Sequence, residues 1–339
     1  MVRKSSCRLL LAGAVAGSLL LGASNICAAA EGNSPASVAE MIVTTQSRND
    51  SPQGLESGDV AVYQGKSLRR VVGFERLSGE QAAMQLFIYL DDSIGAETFR
   101  ALLPDLKNFL ETLPSNSEVA VGNLHDGELQ FAQGFTTDHR MAAERLRAPA
   151  EASMQSGTND SSYSALLQLT KHWPSQERTV RRVVLMLTDG SDRRDSATSN
   201  NDPYVEAAIR NSQIAGIAVY SVYLRGASLY TPSDWAMNPG QSNLLALSNA
   251  TGGHFYCEGL NNPVSLKPYL EDLGQRFANQ YRITFESRND PGAQAVTVEA
   301  EAAGLKIIAP TRVYAQQNSL TAKATNAGSP RLQLAQNGQ

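Results

Sequence analysis

Met84-Gln-Leu-Phe-Ile-Tyr-Leu-Asp-Asp-Ser-Ile-Gly95 is a short apolar run that stops on two carboxylates, a hydroxyl and a glycine. A run of this length, rich in bulky residues, predicts a strand buried on both faces. In an open α/β sheet, ligands bind just beyond the carboxyl ends of such strands. The acidic end of this stretch therefore marks an expected ligand site, and a hard cation suits its oxygen donors. A second run, Val183-Val-Leu-Met-Leu-Thr-Asp-Gly190, reads the same way and ends on Asp189. Between the two, Ser156-Gly-Thr-Asn-Asp160 is a polar loop leading into a helix. Three loops bringing Asp91, Ser93, Thr158 and Asp189 together would make an all-oxygen cation site.

In these stretches the chain resembles the von Willebrand factor type A (VWA) domains. Their metal-ion-dependent adhesion site uses Asp-x-Ser-x-Ser after the first strand, a Gly-x-Thr-type loop and a late Thr-Asp-Gly. Asp91-Asp-Ser93-Ile-Gly95 matches the first motif in its first two ligands and departs at the third, because Gly95 has no hydroxyl. Ser156-Gly-Thr158 corresponds to the second motif and Thr188-Asp189-Gly190 to the third. Each motif is weak alone; their order, spacing and positions at strand ends make the set specific. The resemblance spans Gln85 to Ser287. It implies that the hydroxyls touch a metal directly or through water, that the aspartates often act through water, and that a partner's carboxylate completes the shell. Carried over, Asp91, Ser93, Thr158 and Asp189 would hold Mg²⁺ or Mn²⁺, which favour oxygen ligands and keep several waters. A water would take the place that Gly95 leaves, or affinity falls. Asp92 offers a further carboxylate, but it follows Asp91 and should point elsewhere at a strand end. The competing reading is that these residues cap helices and form turns. For any one residue that reading prevails. For the ordered set the VWA fold does, while occupancy by a metal stays open.

The first thirty residues read as a secretory signal peptide: Arg3, Lys4 and Arg8 form a basic head, Leu9 to Leu21 an apolar stretch, and Ala28-Ala-Ala30 a small-residue cleavage site. The apolar stretch is short for a membrane span. The whole chain carries 29 Lys and Arg against 33 Asp and Glu, and losing the three basic leader residues would move the net charge from −4 to −7. That mild acidity, without a basic stripe, argues against a nucleic-acid partner. Cys7 and Cys27 would leave with the leader, so Cys257 could form no intramolecular disulfide and is expected to be a small buried hydrophobe.

Outside the leader, residues 31–83 read as short strands and turns, and the stretches from Ala295 to Ala300, Leu305 to Ala309 and Arg312 to Ala315 as further strands. A small β unit made by residues 31–83 and 288–315 is expected, since hairpins alone cannot bury a face. A β segment before the A domain is similar to the VWA-related group first described from acidobacterial genomes. Residues 84–287 alternate strand and helix, which predicts a doubly wound, mostly parallel α/β sheet with one antiparallel edge strand near the Asp126-Gly127 turn. Pro104 should kink or split the first helix. Arg225 to Asn243 reads as an irregular insert before a helix from Asn243 to Asn249. Residues 316–339, polar and rich in Asn, Gln, Ala and Ser, are expected to be a disordered tail.

Rim residues that could meet a partner are Asp92, Asp192, Tyr230 and Trp235, aromatic side chains being common anchors at interfaces. A mixed-charge loop around Asp192 and a loop packed by its own aromatics are the plainer alternatives. The four histidines, His125, His139, His172 and His254, have no metal-ligand spacing. No nucleophile elbow, zincin motif or phosphate-binding glycine loop is found, so the chain does not read as an enzyme. The function expected is protein binding or adhesion by an exported protein through the cation site. A metal-free scaffold using its insert and loops, or a metal-dependent hydrolase, are the alternatives.

Overall fold

The computed structural model describes residues 37–47, 54–125, 127–148, 161–175, 177, 179–192, 203–226, 234–259, 261–288, 292–300 and 304–316, with 234–238 and 316 as backbone alone. The leader-like first thirty residues, Thr158, Tyr230, the side chain of Trp235 and the expected tail after Gln316 lie outside what is described. The chain enters as strands β1 (Ser37–Ser47), β2 (Val60–Gln64), β3 (Ser67–Arg69) and β4 (Val71–Arg76). The apolar run of the sequence is β5 (Met84–Asp91), and all eight of its residues are buried. Its alternate side chains serve opposite faces. Met84, Leu86, Ile88 and Leu90 join one core, while Phe87 and Tyr89 join another. Gln85 is polar within this strand, but its amide is matched by Glu118, Ser175 and the Trp173 indole, so its burial leaves no group unpaired.

From β5 the chain continues through α1 (Ala96–Glu111), β6 (Glu118–His125), β7 (Glu128–Thr136), α2 (His139–Arg145), α3 (Ser162–Lys171) and β8 (Arg181–Thr188). Then come α4 (Pro203–Ala215), β9 (Ile217–Tyr223), α5 (Asp234–Thr251), β10 (Phe255–Tyr256) and α6 (Lys267–Ala278). The strands form one sheet in the order β10-β9-β8-β5-β6-β7, parallel except for β7. Phe99, Leu106, Leu273 and Phe277 place α1 and α6 on the first face; Leu166, Val205 and Leu247 place α3, α4 and α5 on the second. This is the doubly wound α/β architecture expected. The order reverses between β5 and β8, where such sheets leave a crevice at the carboxyl ends.

The last strands, β11 (Gln280–Ser287), β12 (Ala293–Ala300), β13 (Leu305–Ile308) and β14 (Arg312–Gln316), pair with the first four. The second sheet runs β3-β2-β12-β14-β1-β11-β4, with β13 also on β1. β3 and β4 are separated by Arg70 alone, yet one pairs with β2 and the other with β11. The chain itself thus joins the two ends of this sheet. Val43, Val62, Ile283, Phe285 and Val313 make a third core within it. The two sheets meet at Gln280. Its side chain accepts from Arg181 of β8 and donates to Thr44 of β1 and the Tyr220 hydroxyl of β9.

Three expectations need correction. Pro104 neither ends nor divides α1, which is a single helix. Pro104 lies on the exposed side, where water can serve the carbonyl that loses its donor. Part of the supposed insert is helical: α5 starts at Asp234 and carries Pro239 inside it. Its register is set by burial of Leu244 and Leu247 and by Gly240, whose backbone lies against that of Gly190. Cys257 is exposed rather than buried and lies just past the end of β10 at Tyr256.

Packing and charge generate two expected outcomes. A methyl on Gly253 would lie 1.9 Å from the Val219 carbonyl oxygen, so Gly253→Ala should lower the urea-unfolding free energy by about 1–3 kcal/mol or more. Burial, aided by the charges of Arg276 and Lys306, lowers the His254 pKa to about 4. The folded protein then binds fewer protons than the unfolded chain between about 4 and the ordinary value of 6.5. Stability should fall as pH drops through that window, and His254→Gln should flatten the fall in a series of thermal melts.

Candidate metal centre

Three carboxyl-end segments converge where the strand order reverses. The first follows β5, where Asp91 leads into a short 3₁₀ turn, Asp92–Ile94. The turn forms because the Asp91 side chain accepts from the Ser93 backbone N–H at 3.0 Å. The second is the entry to α3, where the Ser161 hydroxyl caps the Ser164 N–H. The third follows β8, where Gly190 takes φ 67 and the Thr188 hydroxyl accepts from its N–H.

Asp91 is the hub. Its Oδ2 accepts from Ser162 Oγ and from Thr188 Oγ1, each at 2.6 Å, and all three residues are buried. With Ser93 N–H on Oδ1, the carboxylate holds three donors from three segments. Charge-assisted bonds of this kind are among the stronger ones in proteins. Asp91 therefore acts from behind, fixing hydroxyl oxygens in place. Ser162 and Thr188 lie 2.9 Å apart, and each has one proton, so donation to Asp91 leaves their lone pairs turned elsewhere.

Ser93 behaves differently. Its side chain is buried, and among the described residues its Oγ has no hydrogen-bond partner. A buried hydroxyl without a partner costs free energy, and a bound cation would relieve that cost. The Asp189 carboxylate lies near the Ser93 backbone, with Gly226 against both. Its Oδ1 accepts from Ser191 N–H and Oγ, while a Cβ built on Gly226 would lie 2.5 Å from its Oδ2 and 3.5 Å from the Ser93 carbonyl oxygen. Gly226 thus lets the Asp189 carboxylate lie against its backbone, where any larger residue would collide with it. Among the described residues no three His, Cys, Asp or Glu side chains are grouped to hold a metal. A cation here would instead be held by hydroxyls with carboxylate support, a donor set that fits Mg²⁺ or Mn²⁺.

Gly95 is more than an absent hydroxyl. Its φ of 87° and ψ of 145° lie where residues with a Cβ are strained. The backbone itself excludes serine at the third motif position.

Of the residues singled out from sequence, the fold brings Asp91, Ser93 and Asp189 together; Thr158 and Tyr230 lie outside the described residues, as does the Trp235 side chain. Asp192 is drawn in by the Ser161 hydroxyl at 2.8 Å, through an isolated bridge between the two residues. Asp92 turns to β6, where Asn123 donates to one oxygen and His125 lies 3.2 Å from the other. Burial pushes the Asp92 carboxyl up, and Asp91 adds to this against the opposing pull of Asn123 and His125. The residues that sequence reasoning missed are Ser161, Ser162 and Gly226. A pair of serines at a helix entry carries a capping signal and nothing that tells a cap from a site residue.

Scans against family models and curated proteins return no match. Among solved structures the chain is similar to an aerotolerance-related membrane protein from Bacteroides fragilis, at 14% identity over 57% of this chain and 98% of that one, TM-score 0.43. It is similar to a von Willebrand factor type A protein from Catenulispora acidiphila, at 12% identity over 82% and 73% of the two chains, TM-score 0.39. It is also similar to manganese-loaded TRAP protein from Plasmodium vivax, at 11% identity over 74% and 97%, TM-score 0.38. At such scores the reading of this chain rests on its own strand order and site residues.

The unequal bonding of two buried serines can be measured. With chelator present, Ser162→Ala should destabilise by about 1.5–3 kcal/mol, because it removes a hydrogen bond to a charged group. Ser93→Ala should be neutral or stabilising by about 1 kcal/mol, since it deletes an unpaired buried hydroxyl. Equal losses in denaturant unfolding would contradict this picture.

Proposed function

We propose that this chain, a protein with a von Willebrand factor type A fold, binds a protein partner through a divalent cation seated between Ser93, Asp189 and the Asp91 hub. The observation that carries this reading is the buried Ser93 hydroxyl, which has no hydrogen-bond partner among the described residues, on a turn whose backbone lies near Gly226 and the Asp189 carboxylate. When bound, the ion would supply Lewis acidity toward an oxygen ligand offered by the partner. The protein's own residues do the rest. Asp91 orients Ser162 and Thr188, Ser191 fixes one oxygen of Asp189, and Gly95 keeps a fourth side chain out of the site. A carboxylate on the partner is the chemistry best suited to complete a hard cation's shell.

The rest of the proposal concerns setting. The leader-like first thirty residues support export, with action at the cell envelope or outside it. No helix among the described residues is long and apolar enough to cross a membrane. A binding rather than catalytic role is supported by the hydroxyls of Ser162 and Thr188, whose protons go to Asp91 in an arrangement that holds oxygens still. A second reading, a metal-free binding scaffold, is favoured by the backbone at Gly95, which denies the ion one ligand.

Calorimetric titration of the mature protein with Mn²⁺ and Mg²⁺ separates the two. The expected result is Mn²⁺ binding that weakens by about 10–100-fold in Asp91→Ala, as for other residues that orient a ligand without touching the ion. Asp189→Ala and Ser93→Ala should weaken it as well. No heat from either ion in the wild type would sink the cation reading and leave the scaffold.

A further inference from the structure

At the end of the doubly wound sheet opposite the candidate metal centre, a cleft of about 290 Å³ opens between the two sheets. The amino end of β8, the turn at Gly216 from α4 into β9, and parts of β1 and β14 line it. Its volume lies at the lower end of the roughly 300–1,000 Å³ usual for small-molecule sites.

The charges around it are unevenly matched. Arg282 is paired twice, with Glu40 and with Glu75, both at 3.1 Å. Arg182 turns its guanidinium to the Ser175 and Glu177 carbonyls and over the Trp173 ring. Arg181 has no such pairing with an acid. It is 4% exposed, donates to the Phe277 and Ala82 carbonyls and the Gln280 side-chain oxygen, and has no acceptor for Nε. These acceptors are all neutral, and among the described residues no carboxylate pairs with Arg181. Its guanidinium also lies over the Phe277 ring, 5.5 Å from the centroid, but a buried cation met by neutral oxygens and a ring face, with no opposite charge, keeps much of its desolvation cost. Burial, with the nearby charge of Arg282, lowers its pKa to about 10. Arg312 stands exposed on β14, where Val313, the next residue, points the other way into the third core. Its side chain is therefore turned away from that core, at the rim of the cleft it helps to line.

We propose that this cleft binds a small oxyanion, a carboxylate or phosphate group, which supplies the counter-charge that Arg181 lacks and is met at the rim by Arg312. The proposal is independent of the cation reading, since β8 carries Arg181 at one end and Thr188 at the other.

The test follows the thermal midpoint of the mature protein with inorganic phosphate and, separately, with succinate, each against sodium chloride of equal ionic strength. One of the two anions should raise the midpoint saturably where chloride does not. A response to phosphate identifies a phosphate group as the ligand, and a response to succinate a carboxylate. The apparent affinity should fall about ten- to a hundredfold in Arg181→Gln, which loses a buried charged partner. Arg312→Gln changes an exposed side chain and should keep the fold while weakening the response about two- to fivefold, so the proposal remains testable if Arg181→Gln does not fold. No saturable response to either anion, or one that Arg312→Gln and a folded Arg181→Gln leave unchanged, overturns it.

Discussion

Asp91 holds together segments that are far apart in the chain, because one carboxylate accepts from the Ser93 backbone, the Ser162 hydroxyl and the Thr188 hydroxyl. Taking a charge out of water is tolerable only when its lone pairs are met, and here three donors meet them. The arrangement needs β5 and β8 side by side, in parallel and in register, so that both strands end at one level. It also needs the entry of α3 to bring Ser162 to the ends of both strands. The doubly wound topology supplies both, and the cluster in turn fixes the loops that would otherwise fray at the strand ends. Close backbone approach tightens the same corner, since Gly190 and Gly240 each leave no room for a side chain against the other.

The fold was legible to the extent that burial writes itself into sequence. β5 and β8 read as doubly buried strands because their middles, Leu86–Leu90 and Val183–Leu187, are unbroken runs of bulky, mostly apolar residues, and the helices between them keep an apolar period. Pro104 and Pro239 both lie within helices, and packing of the neighbouring apolar face outweighed the local penalty. The exposure of Cys257 was invisible because a strand of two residues carries no periodicity to read.

The candidate site was legible in part for a different reason. Aspartates at the ends of apolar runs stand out, whereas hydroxyls at helix entries are common and serve mostly as caps. Ser161 does cap α3, and Ser162 beside it does not: its hydroxyl goes to Asp91. Only the packed structure separates two neighbours of the same type. Glycine carried hidden information too. Gly95 reads as a lost ligand in the sequence, but its backbone angles show a position from which a serine would be excluded in any case. Gly226 carried no motif signal at all, and its meaning is the close approach it allows between its backbone and the Asp189 carboxylate.

The pairing of β1 with β14 has a mechanical side. Val38 lies opposite Gln316 and Ala39 opposite Ala315, so the described chain enters and leaves side by side at one end of an antiparallel pair. Tension applied through the flanks before Ser37 and after Gln316 would peel these two strands apart from that end, loading their hydrogen bonds one after another rather than in shear. The seam of the second sheet would yield first. The corner around Asp91, built on strands that the pull does not reach directly, would keep its shape while the tether lengthens.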